Sequence, residues 1–424
     1  MLDLIAWLNI NISGQSIKNL EPLELFSWQE TAIFALPHSD RNSQQIAQNY
    51  LLSLASQGIN PIEQGIWVQS DWTELANHQG TVAIPAASLT KIATTLTALG
   101  HWGADYRFTT KIYATGSIKD GIVEGDLVIE GSGDPLFVWE EAIALGNALN
   151  QLGIRRVQGD LLVTDKFYMN YQEDAQIAGN LLKQGLDQTL WQKEVTQQYL
   201  QLSPGTLKPL IAIAGNIKLS NQIPPASKLL LRHQSLPLTE ILKQMNIYSN
   251  NEMAQMLADL AGGAKEVERY ASKTAHFPQA EIQLINGSGL GEENRISPRA
   301  ICQMLIAIDS LLAKHSLSAT ELFPTVGRDL VGTVKERKIP LGTTVKTGTL
   351  DSVSSLGGII PTSDRGQIYF AIINHGSQVE YFRQQQDQFL NGLVQNWQLR
   401  LDNFQISQQV NSYLGDPNRN LKNN

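Results

Sequence analysis

Three short strand-like runs near the C-terminus constrain the fold of this 424-residue chain most strongly. Residues 343–347, 354–360 and 367–373 have the length and composition of β-strands. Apolar residues at helical spacing lie on both sides of them, in a segment that begins near Ser297 and in residues 379–397. A late antiparallel sheet with helices at both ends predicts an α+β fold.

A smaller β-containing region is expected to interrupt this fold. Residues 111–130 alternate apolar and polar side chains around three glycines, as hairpins do, and a helix to about residue 152 and a strand at 160–165 follow. Residues 171–225 are rich in glutamine and leucine and have the weakest pattern, before a helix predicted over 238–260. We therefore predict a discontinuous core from 1–104 and 230–414, an inserted domain at 105–229, and a frayed tail at 415–424.

Composition and charge exclude several classes of function. The formal charge of −8 is spread without long blocks of one sign, so no nucleic-acid partner is expected. The single cysteine, Cys302, lies on an apolar helical face and is expected to be a packing residue. The histidines show no metal-binding spacing, so we predict no metal and no cofactor.

The N-terminus shows no clear targeting signal. Residues 1–12 are fairly apolar, but they include Asp3, no basic residue precedes Lys18, and no small-residue cleavage site is evident. No stretch reaches the ~20 apolar residues that span a bilayer. We predict no transmembrane segment, and the sequence leaves export undecided.

Ser88 and Lys91 are the first candidate catalytic pair. A strand-like stretch and a proline precede apolar residues at helical spacing, so Ser88 lies at or near a helix N-terminus. Three residues apart on a helix, the hydroxyl and the amine lie on one face. A lysine whose pKa is lowered can take the proton of a serine nucleophile. Ser-x-x-Lys is common by chance, and a capped helix with a surface lysine is the alternative.

Two later segments supply the other groups that acyl transfer needs. Ser249 and Asn251 offer a second hydroxyl for proton relay and an amide for a substrate carbonyl, although an N-cap would use the same residues. Lys346, Thr347 and Gly348 lie at a predicted strand edge that can admit a substrate backbone and hold a carboxylate; the alternative is an exposed strand ending in a turn. The three segments in this order form the motif set of penicillin-binding proteins and β-lactamases, which favours catalysis over coincidence.

Over residues 81–373 the chain resembles the low-molecular-mass class C penicillin-binding proteins, the D-alanyl-D-alanine carboxypeptidase/endopeptidase family. The long separation between Ser88 and Ser249 leaves room for the inserted domain that the family has. The chain departs from the family in residues 171–225 and in Asn250, where an aspartate is more usual. The glycine-rich segment 327–333 matches the corresponding family segment only approximately. Besides the three motifs, the phrases that carry the resemblance are Gly125-Asp126-Leu127, Gly131-Ser132-Gly133-Asp134-Pro135, Asn286-Gly287-Ser288-Gly289-Leu290, Asn294-Arg295 and Lys346-Thr347-Gly348-Thr349-Leu350.

The resemblance implies a penicillin-binding and serine β-lactamase-like core, and a serine D-alanyl-D-alanine carboxypeptidase, with endopeptidase activity as an option, that penicillin acylates. Ser88 would attack the carbonyl of the penultimate D-alanine while Lys91 takes its proton, and Ser249 with Lys346 would pass a proton to the leaving D-alanine. Backbone N–H groups of Ser88 and Thr349 would hold the oxyanion. The implied catalytic residues are Ser88, Lys91, Ser249, Asn251 and Lys346.

Further residues are implied for substrate binding. Asn251 would orient the peptide, and Thr347 and Thr349 would hold its terminal carboxylate. Asp134 would reach toward the amino end of the stem peptide, with an Asp-Pro turn as the alternative. Arg295 would contact the substrate, although a structural ion pair is the favoured role. The implied binding set is Thr347, Gly348, Thr349, Asp134 and Arg295.

The implied partners are peptidoglycan stem peptides ending in D-Ala-D-Ala and β-lactam antibiotics. Such a substrate implies a periplasmic or otherwise extracytoplasmic protein. No glutamate placed as a deacylation base can be identified, so slow release of penicillin is expected and a β-lactamase is the second enzymatic candidate. A noncatalytic peptidoglycan-binding homologue that keeps the fold without turnover is the alternative from another class.

Overall fold

The computed structural model describes residues 40–395, 397–401 and 414–422, which belong to one compact unit, Ser39–Asn424. The region 1–12, considered above as a signal sequence, lies outside the described residues. The helices are α1 (Arg41–Ser56), α2 (Thr90–Trp102), α3 (Trp139–Gln151), α4 (Ala175–Leu186), α5 (Lys193–Tyr199), α6 (Leu238–Tyr248), α7 (Asn251–Leu260), α8 (Ala264–Thr274), α9 (Pro298–Ala313) and α10 (Val379–Val394). The strands are β1 (Gln64–Gln69), β2 (Glu74–His78), β3 (Ile84–Pro85), β4 (Thr109–Ala114), β5 (Ile118–Lys119), β6 (Ile122–Val123), β7 (Leu127–Glu130), β8 (Arg156–Val157), β9 (Leu161–Thr164), β10 (Ala212–Ile213), β11 (Ile217–Ser220), β12 (Lys228–Gln234), β13 (Ile282–Gln283), β14 (Arg295–Ile296), β15 (Thr344–Leu350), β16 (Val353–Pro361), β17 (Gln367–His375) and β18 (Asn420–Lys422).

An antiparallel sheet of five strands, in the order β15-β16-β17-β1-β2, organises the core. Side chains alternate between its faces, as the strand geometry requires. Phe370 and Ile372 pack on the side of α1 and α10, whereas Ala371 and Ile373 pack on the side of α2 and α9. Helices therefore cover both faces, and the predicted α+β fold is confirmed.

Helix α2 lies inside the core. Its residues from Thr90 to Leu99 are all buried, because α7, α8, α9 and the sheet surround it. Any polar side chain on this helix must therefore find its hydrogen-bond partners inside the protein. Lys91 is one of these buried residues. Cys302 is also fully buried, on α9, as expected for a packing residue.

A second hydrophobic cluster is built from residues 112–231. It lies around a mixed six-stranded sheet in the order β11-β9-β7-β4-β12-β18, with α3 and α4 packed against it. A smaller four-stranded sheet, in the order β10-β8-β6-β5, belongs to the same stretch of sequence. The strand expected at 160–165 is β9. The boundaries at 104/105 and 229/230 remain a prediction.

Two local predictions are wrong. The helix expected over 238–260 is two helices, because Ser249 adopts a left-handed conformation with φ 53° and Asn250 caps the start of α7. The tail expected to fray contains β18, which pairs with β12, and Arg419 is buried against Glu141. Tertiary contacts order residues that a polar composition predicts to be loose.

Candidate active site

Ser88 lies in a short 3₁₀ turn, Ala87–Leu89, that leads directly into α2. The residue before it, Ala87, has φ +48°, an uncommon conformation for a residue with a side chain. The turn is held against the sheet because the Ser355 hydroxyl donates to the Ala86 carbonyl at 2.8 Å. Ser88 is half-buried, so its hydroxyl remains accessible at the start of a buried helix.

Two glycines lie directly against this turn. A Cβ on Gly348 of β15 would lie 2.9 Å from the Ser88 nitrogen and 2.2 Å from the Ser355 Oγ. A Cβ on Gly289, whose φ is +85°, would lie 1.9 Å from the Ala87 carbonyl oxygen. Both contacts are shorter than real Cβ atoms allow, so side chains at these positions would displace the serine turn.

The Lys91 amine has three oxygen neighbours. Its Nζ lies 3.0 Å from the Ser88 Oγ, 2.7 Å from the Asn251 Oδ1 and 2.7 Å from the Ser288 carbonyl oxygen. Burial lowers the pKa of Lys91 from 10.5 to about 7, although the charge of Glu252 acts in the opposite direction. In the neutral amine, two N–H groups can serve Asn251 and Ser288, which leaves the lone pair for the Ser88 hydroxyl proton. This is the arrangement of a general base with its nucleophile.

The break between α6 and α7 brings Ser249 and Asn251 into the site. Ser249 ends α6, and the Asn250 side chain accepts a hydrogen bond from the Met253 N–H at 2.8 Å, which starts α7. Asn251 is thereby the first residue of α7, and its Oδ1 accepts from Lys91. The asparagine in place of the more usual aspartate serves as a helix cap.

Lys346 and Ser249 form a second hydroxyl–amine pair. The Lys346 Nζ donates to the Ser249 Oγ at 2.8 Å and to the Thr347 carbonyl at 2.8 Å. Burial and the nearby charge of Lys91 hold the pKa of Lys346 well below its usual range. Charging both buried lysines at once is unfavourable, because the two positive charges repel each other. This favours a site in which one amine is neutral and can accept a proton.

The end of β15 faces a wide cavity. Thr347 donates to the Thr333 hydroxyl at 2.7 Å, and exposed Thr349 accepts from Arg383 at 2.9 Å. Both β15 threonines line a cavity of about 890 Å³ that extends along α10. The structure thus brings Ser88, Lys91 and Asn251 together and pairs Lys346 with Ser249, beside the strand that carries Thr347, Gly348 and Thr349.

Two predicted binding residues do not join this group. Asp134 is 4% exposed, and its Oδ1 accepts from the Leu136 N–H at 2.9 Å. Burial raises the pKa of Asp134 to about 7. Its carboxylate is therefore part of an Asp-Pro turn and is not displayed to a ligand, which corrects the prediction.

Arg295 is exposed on β14. The Ser352 hydrogen bond lowers the pKa of Glu292 most, and the charges of His375 and Arg295 act in the same direction. The substrate role of Arg295 stays a prediction.

Three partners of the site were not predicted from the sequence. The Ser288 carbonyl belongs to the turn 286–289, whose composition is recognisable, but a backbone acceptor has no side-chain signature. Thr333 lies in the glycine-rich segment 327–333, which precedes the Lys346 motif. Arg383 lies on α10, far along the chain from every motif.

Among residues 40–395, 397–401 and 414–422, no group of three or more His, Cys, Asp or Glu side chains could hold a metal ion. None of the helices in this described part of the chain has the length and hydropathy of a transmembrane span.

Known sequences are similar to this chain over most of its length. The model of the D-Ala-D-Ala carboxypeptidase 3 (S13) family matches residues 54–176 and 170–395. A D-alanyl-D-alanine carboxypeptidase from an Actinomadura species is 25% identical over 408 residues, which cover 72% of this chain and 75% of that protein. The D-alanyl-D-alanine carboxypeptidase DacB from Haemophilus influenzae is 23% identical over 394 residues, 69% of this chain and 80% of that protein.

Solved structures share the fold. A penicillin G-acylated predatory endopeptidase from Bdellovibrio bacteriovorus, in complex with an immunity protein, superposes with a TM-score of 0.73 at 22% identity, covering 85% of this chain and 99% of that chain. Penicillin-binding protein 4 from Haemophilus influenzae gives a TM-score of 0.61 at 18% identity, covering 81% of this chain and 98% of that chain. More than four fifths of this chain therefore follows a known architecture.

Proposed function

Because the chain belongs to the D-Ala-D-Ala carboxypeptidase 3 (S13) family, we propose that it cleaves stem peptides ending in D-Ala-D-Ala through an acyl-enzyme on Ser88. The predicted class, a serine-type hydrolase of the penicillin-binding kind, is the class of this family and of its relatives. The observation that supports the assignment of the nucleophile is the buried Lys91 amine, 3.0 Å from the Ser88 Oγ and with a pKa of about 7.

The first half of the reaction uses Lys91. The neutral amine takes the Ser88 hydroxyl proton as the Oγ attacks the carbonyl carbon of the penultimate D-alanine. The negative charge on the carbonyl oxygen is held by the backbone N–H groups of Ser88 and Thr349, each worth about 3 kcal/mol in such a position. Asn251 orients the substrate backbone while it fixes the Lys91 amine.

The second pair completes the transfer. As the C–N bond breaks, a proton passes through Ser249 and Lys346 to the departing nitrogen, and D-alanine leaves. Thr347 and Thr349 bind its carboxylate until release. Water then attacks the acyl-enzyme and returns Ser88 to its free state.

Penicillin should acylate the same serine. The acylated Bdellovibrio structure supports this proposal, since that enzyme has the same fold. Within the described residues, no carboxylate makes a hydrogen bond to Ser88 or Lys91. Water therefore lacks an obvious base beyond the lysine, and we expect slow deacylation rather than β-lactamase turnover. Because the substrate lies outside the cytoplasmic membrane, the protein is proposed to act there.

D-Alanine release tests this function. The native chain, Ser88→Ala and the matched surface control Ser310→Ala are incubated with a synthetic pentapeptide stem, and D-alanine is measured with D-amino acid oxidase. Multiple turnovers by the native chain and by Ser310→Ala, with none by Ser88→Ala, support the proposal. No release by the native chain, although it folds and binds the peptide, would instead favour a noncatalytic peptidoglycan binder.

A further inference from the structure

A loop between two short strands brings the third oxygen partner of Lys91 to the site. Residues 284–294 connect β13 to β14, and β14 also pairs with β3 in a three-stranded sheet. Strand β3 ends at Pro85, and the turn that holds Ser88 follows it directly. The same small sheet therefore carries the serine turn and the loop whose Ser288 carbonyl accepts from Lys91 at 2.7 Å.

Asn294, the last residue of this loop, is fully buried and uses its whole side-chain amide within the loop. Its Oδ1 accepts from the Ile285 N–H at 3.0 Å and from the Asn286 N–H at 3.2 Å. Its Nδ2 donates to the Leu290 carbonyl at 3.0 Å and to the Gly291 carbonyl at 3.2 Å. An amide has two donor hydrogens and two acceptor lone pairs, so all four are used. Aspartate lacks the donors, and glutamine carries its amide one methylene further out, so the position is specific for asparagine.

These bonds join the two ends of the segment 285–291 and close it around Ser288. The segment has an irregular backbone, so side-chain amides supply the partners that a helix or strand would supply. Inside the segment, the Asn286 Oδ1 accepts from the Ser288 N–H at 3.2 Å and from the Ser288 hydroxyl at 3.1 Å. The position of the Ser288 carbonyl is therefore fixed by Asn286 from within and by Asn294 from outside.

Asn294 also reaches the nucleophile, through its backbone. Its carbonyl accepts from the Ala86 N–H at 2.9 Å, at the start of the turn that holds Ser88. One buried residue is thus bonded both to the turn that carries the nucleophile and to the loop that carries an acceptor of the base.

The Ser288 carbonyl determines how the Lys91 amine is turned. With its two N–H groups on Asn251 and Ser288, the neutral amine points its lone pair at the Ser88 hydroxyl. Without the Ser288 acceptor, the amine can rotate and direct an N–H at the Ser88 oxygen. In that orientation it cannot take the proton, so a small displacement of the loop misaligns the base.

We propose that Asn294 is a positioning residue for acyl transfer, which fixes the Lys91 base and the Ser88 nucleophile relative to each other. It does so by holding the Ser288 carbonyl against the Lys91 amine through the loop and by holding the serine turn through Ala86. This inference rests on the proposed function. Asn294 does not contact the substrate in this arrangement, so it acts on the acylation step and not on binding.

Stopped-flow acylation by a fluorescent penicillin tests this role in the native chain, in Asn294→Ala and in a matched control, Asn150→Ala. Asn150 also bonds loop backbone, at Ile154 and Leu210, but it lies on α3, away from the motifs of the site. Each rate constant is referred to the fraction of the protein that penicillin labels by intact mass. Asn294→Ala is expected to lower the limiting acylation rate constant about 10- to 100-fold with little change in the half-saturating penicillin concentration. A misaligned base loses part of the ~10²- to 10⁴-fold that general base catalysis supplies. Asn150→Ala should acylate at the native rate.

The pH profile separates a positioning role from a purely structural one. A carbonyl that accepts from Lys91 favours its charged form, so losing this contact should move the acid limb of the profile toward lower pH. The charged groups that act on Lys91 or are acted on by it, Glu252 and Lys346, are the same in the variant. A variant that is only less stable would keep the native midpoint in the fraction that penicillin labels.

Asn286→Ala keeps Asn294 and its bond to Ala86 but releases Ser288 within the loop, so it decides the question if Asn294→Ala does not fold. It should show the same direction of shift and a smaller loss of rate. Native rate constants and midpoints in the variants, on a native chain that penicillin labels at Ser88, would overturn the inference and leave the proposed function standing. A native chain that neither releases D-alanine nor takes up penicillin at Ser88 would overturn both.

Discussion

Acylation by penicillin should depend on pH through Lys91, because only the neutral amine can accept the Ser88 proton. Burial lowers the pKa of Lys91 from 10.5 to about 7, against the opposing charge of Glu252. At about 1.36 kcal/mol per pH unit, this lowering corresponds to about 5 kcal/mol against the charged form. The neutral fraction at pH 7 is then about one half, whereas a lysine with a pKa of about 10.4 would have less than about one part in a thousand.

The sign of the effect follows from this lowered pKa. Below pH 7 the neutral fraction falls about tenfold per pH unit, so the second-order rate constant of acylation should fall by the same factor and should level off above pH 7. Stopped-flow measurements with a fluorescent penicillin between pH 5 and pH 9 give this profile. A rate that is flat across the range, or that still rises tenfold per unit at pH 9, would refute a neutral Lys91 base.

Two variants identify the titrating group. Lys91→Arg keeps a charge that cannot be removed near neutrality, so acylation should fall by about 10²- to 10⁴-fold with no recovery at pH 9. Glu252→Gln removes the exposed carboxylate that raises the pKa of Lys91. Its profile should move slightly toward lower pH. A shift in the opposite direction would contradict the electrostatic account.

Three further predictions concern the frame of the site. Ser249→Ala should slow D-alanine release about 10²- to 10⁴-fold with little loss of thermal stability, because Lys346 loses its hydroxyl partner; release at the native rate would argue against the relay. Gly348→Ala should abolish most acylation. Adding Ser355→Ala should not restore it, since the close contacts with the Ser88 nitrogen and the Ala86 carbonyl persist; an active double variant would contradict this. Arg419→Ala should lower the free energy of unfolding, measured in urea, by about 3–5 kcal/mol, because the buried Glu141 loses its cation. An unchanged unfolding midpoint would show that the C-terminal tail does not stabilise the fold.

The catalytic side chains could be predicted because each has a distinctive chemistry at a short local spacing. Ser88 and Lys91 share one helix face, and the Lys346 motif ends a clear strand. Their meeting in space also required long-range packing, which the order of the motifs implied only through the family resemblance. The Ser288 carbonyl could not be predicted as the third Lys91 partner, since any residue type presents the same backbone oxygen.

The helix break at Ser249 shows a limit of periodicity. Apolar residues continue at helical spacing through both α6 and α7, so the pattern predicts one helix over 238–260. The polar run at 249–251 was the available signal, because asparagine and serine favour caps and tolerate left-handed backbone. Without this break, Ser249 and Asn251 would not have the positions that they hold in the site.

Other errors came from contacts distant in sequence. Strand β18 pairs with β12, so it gains its stability from a partner far along the chain. The polar residues near Arg419 resemble a loose terminus until the buried Glu141 is taken into account. Asp134 has the sequence of a displayed turn, yet the packing around it buries the carboxylate.

The most direct test of the central claim is the intact mass of the chain after incubation with penicillin, for the native protein and for Ser88→Ala. The account predicts one penicillin bound to the native chain and none to the variant. No adduct on the native chain, or an equal adduct on both proteins, would contradict Ser88 as the nucleophile.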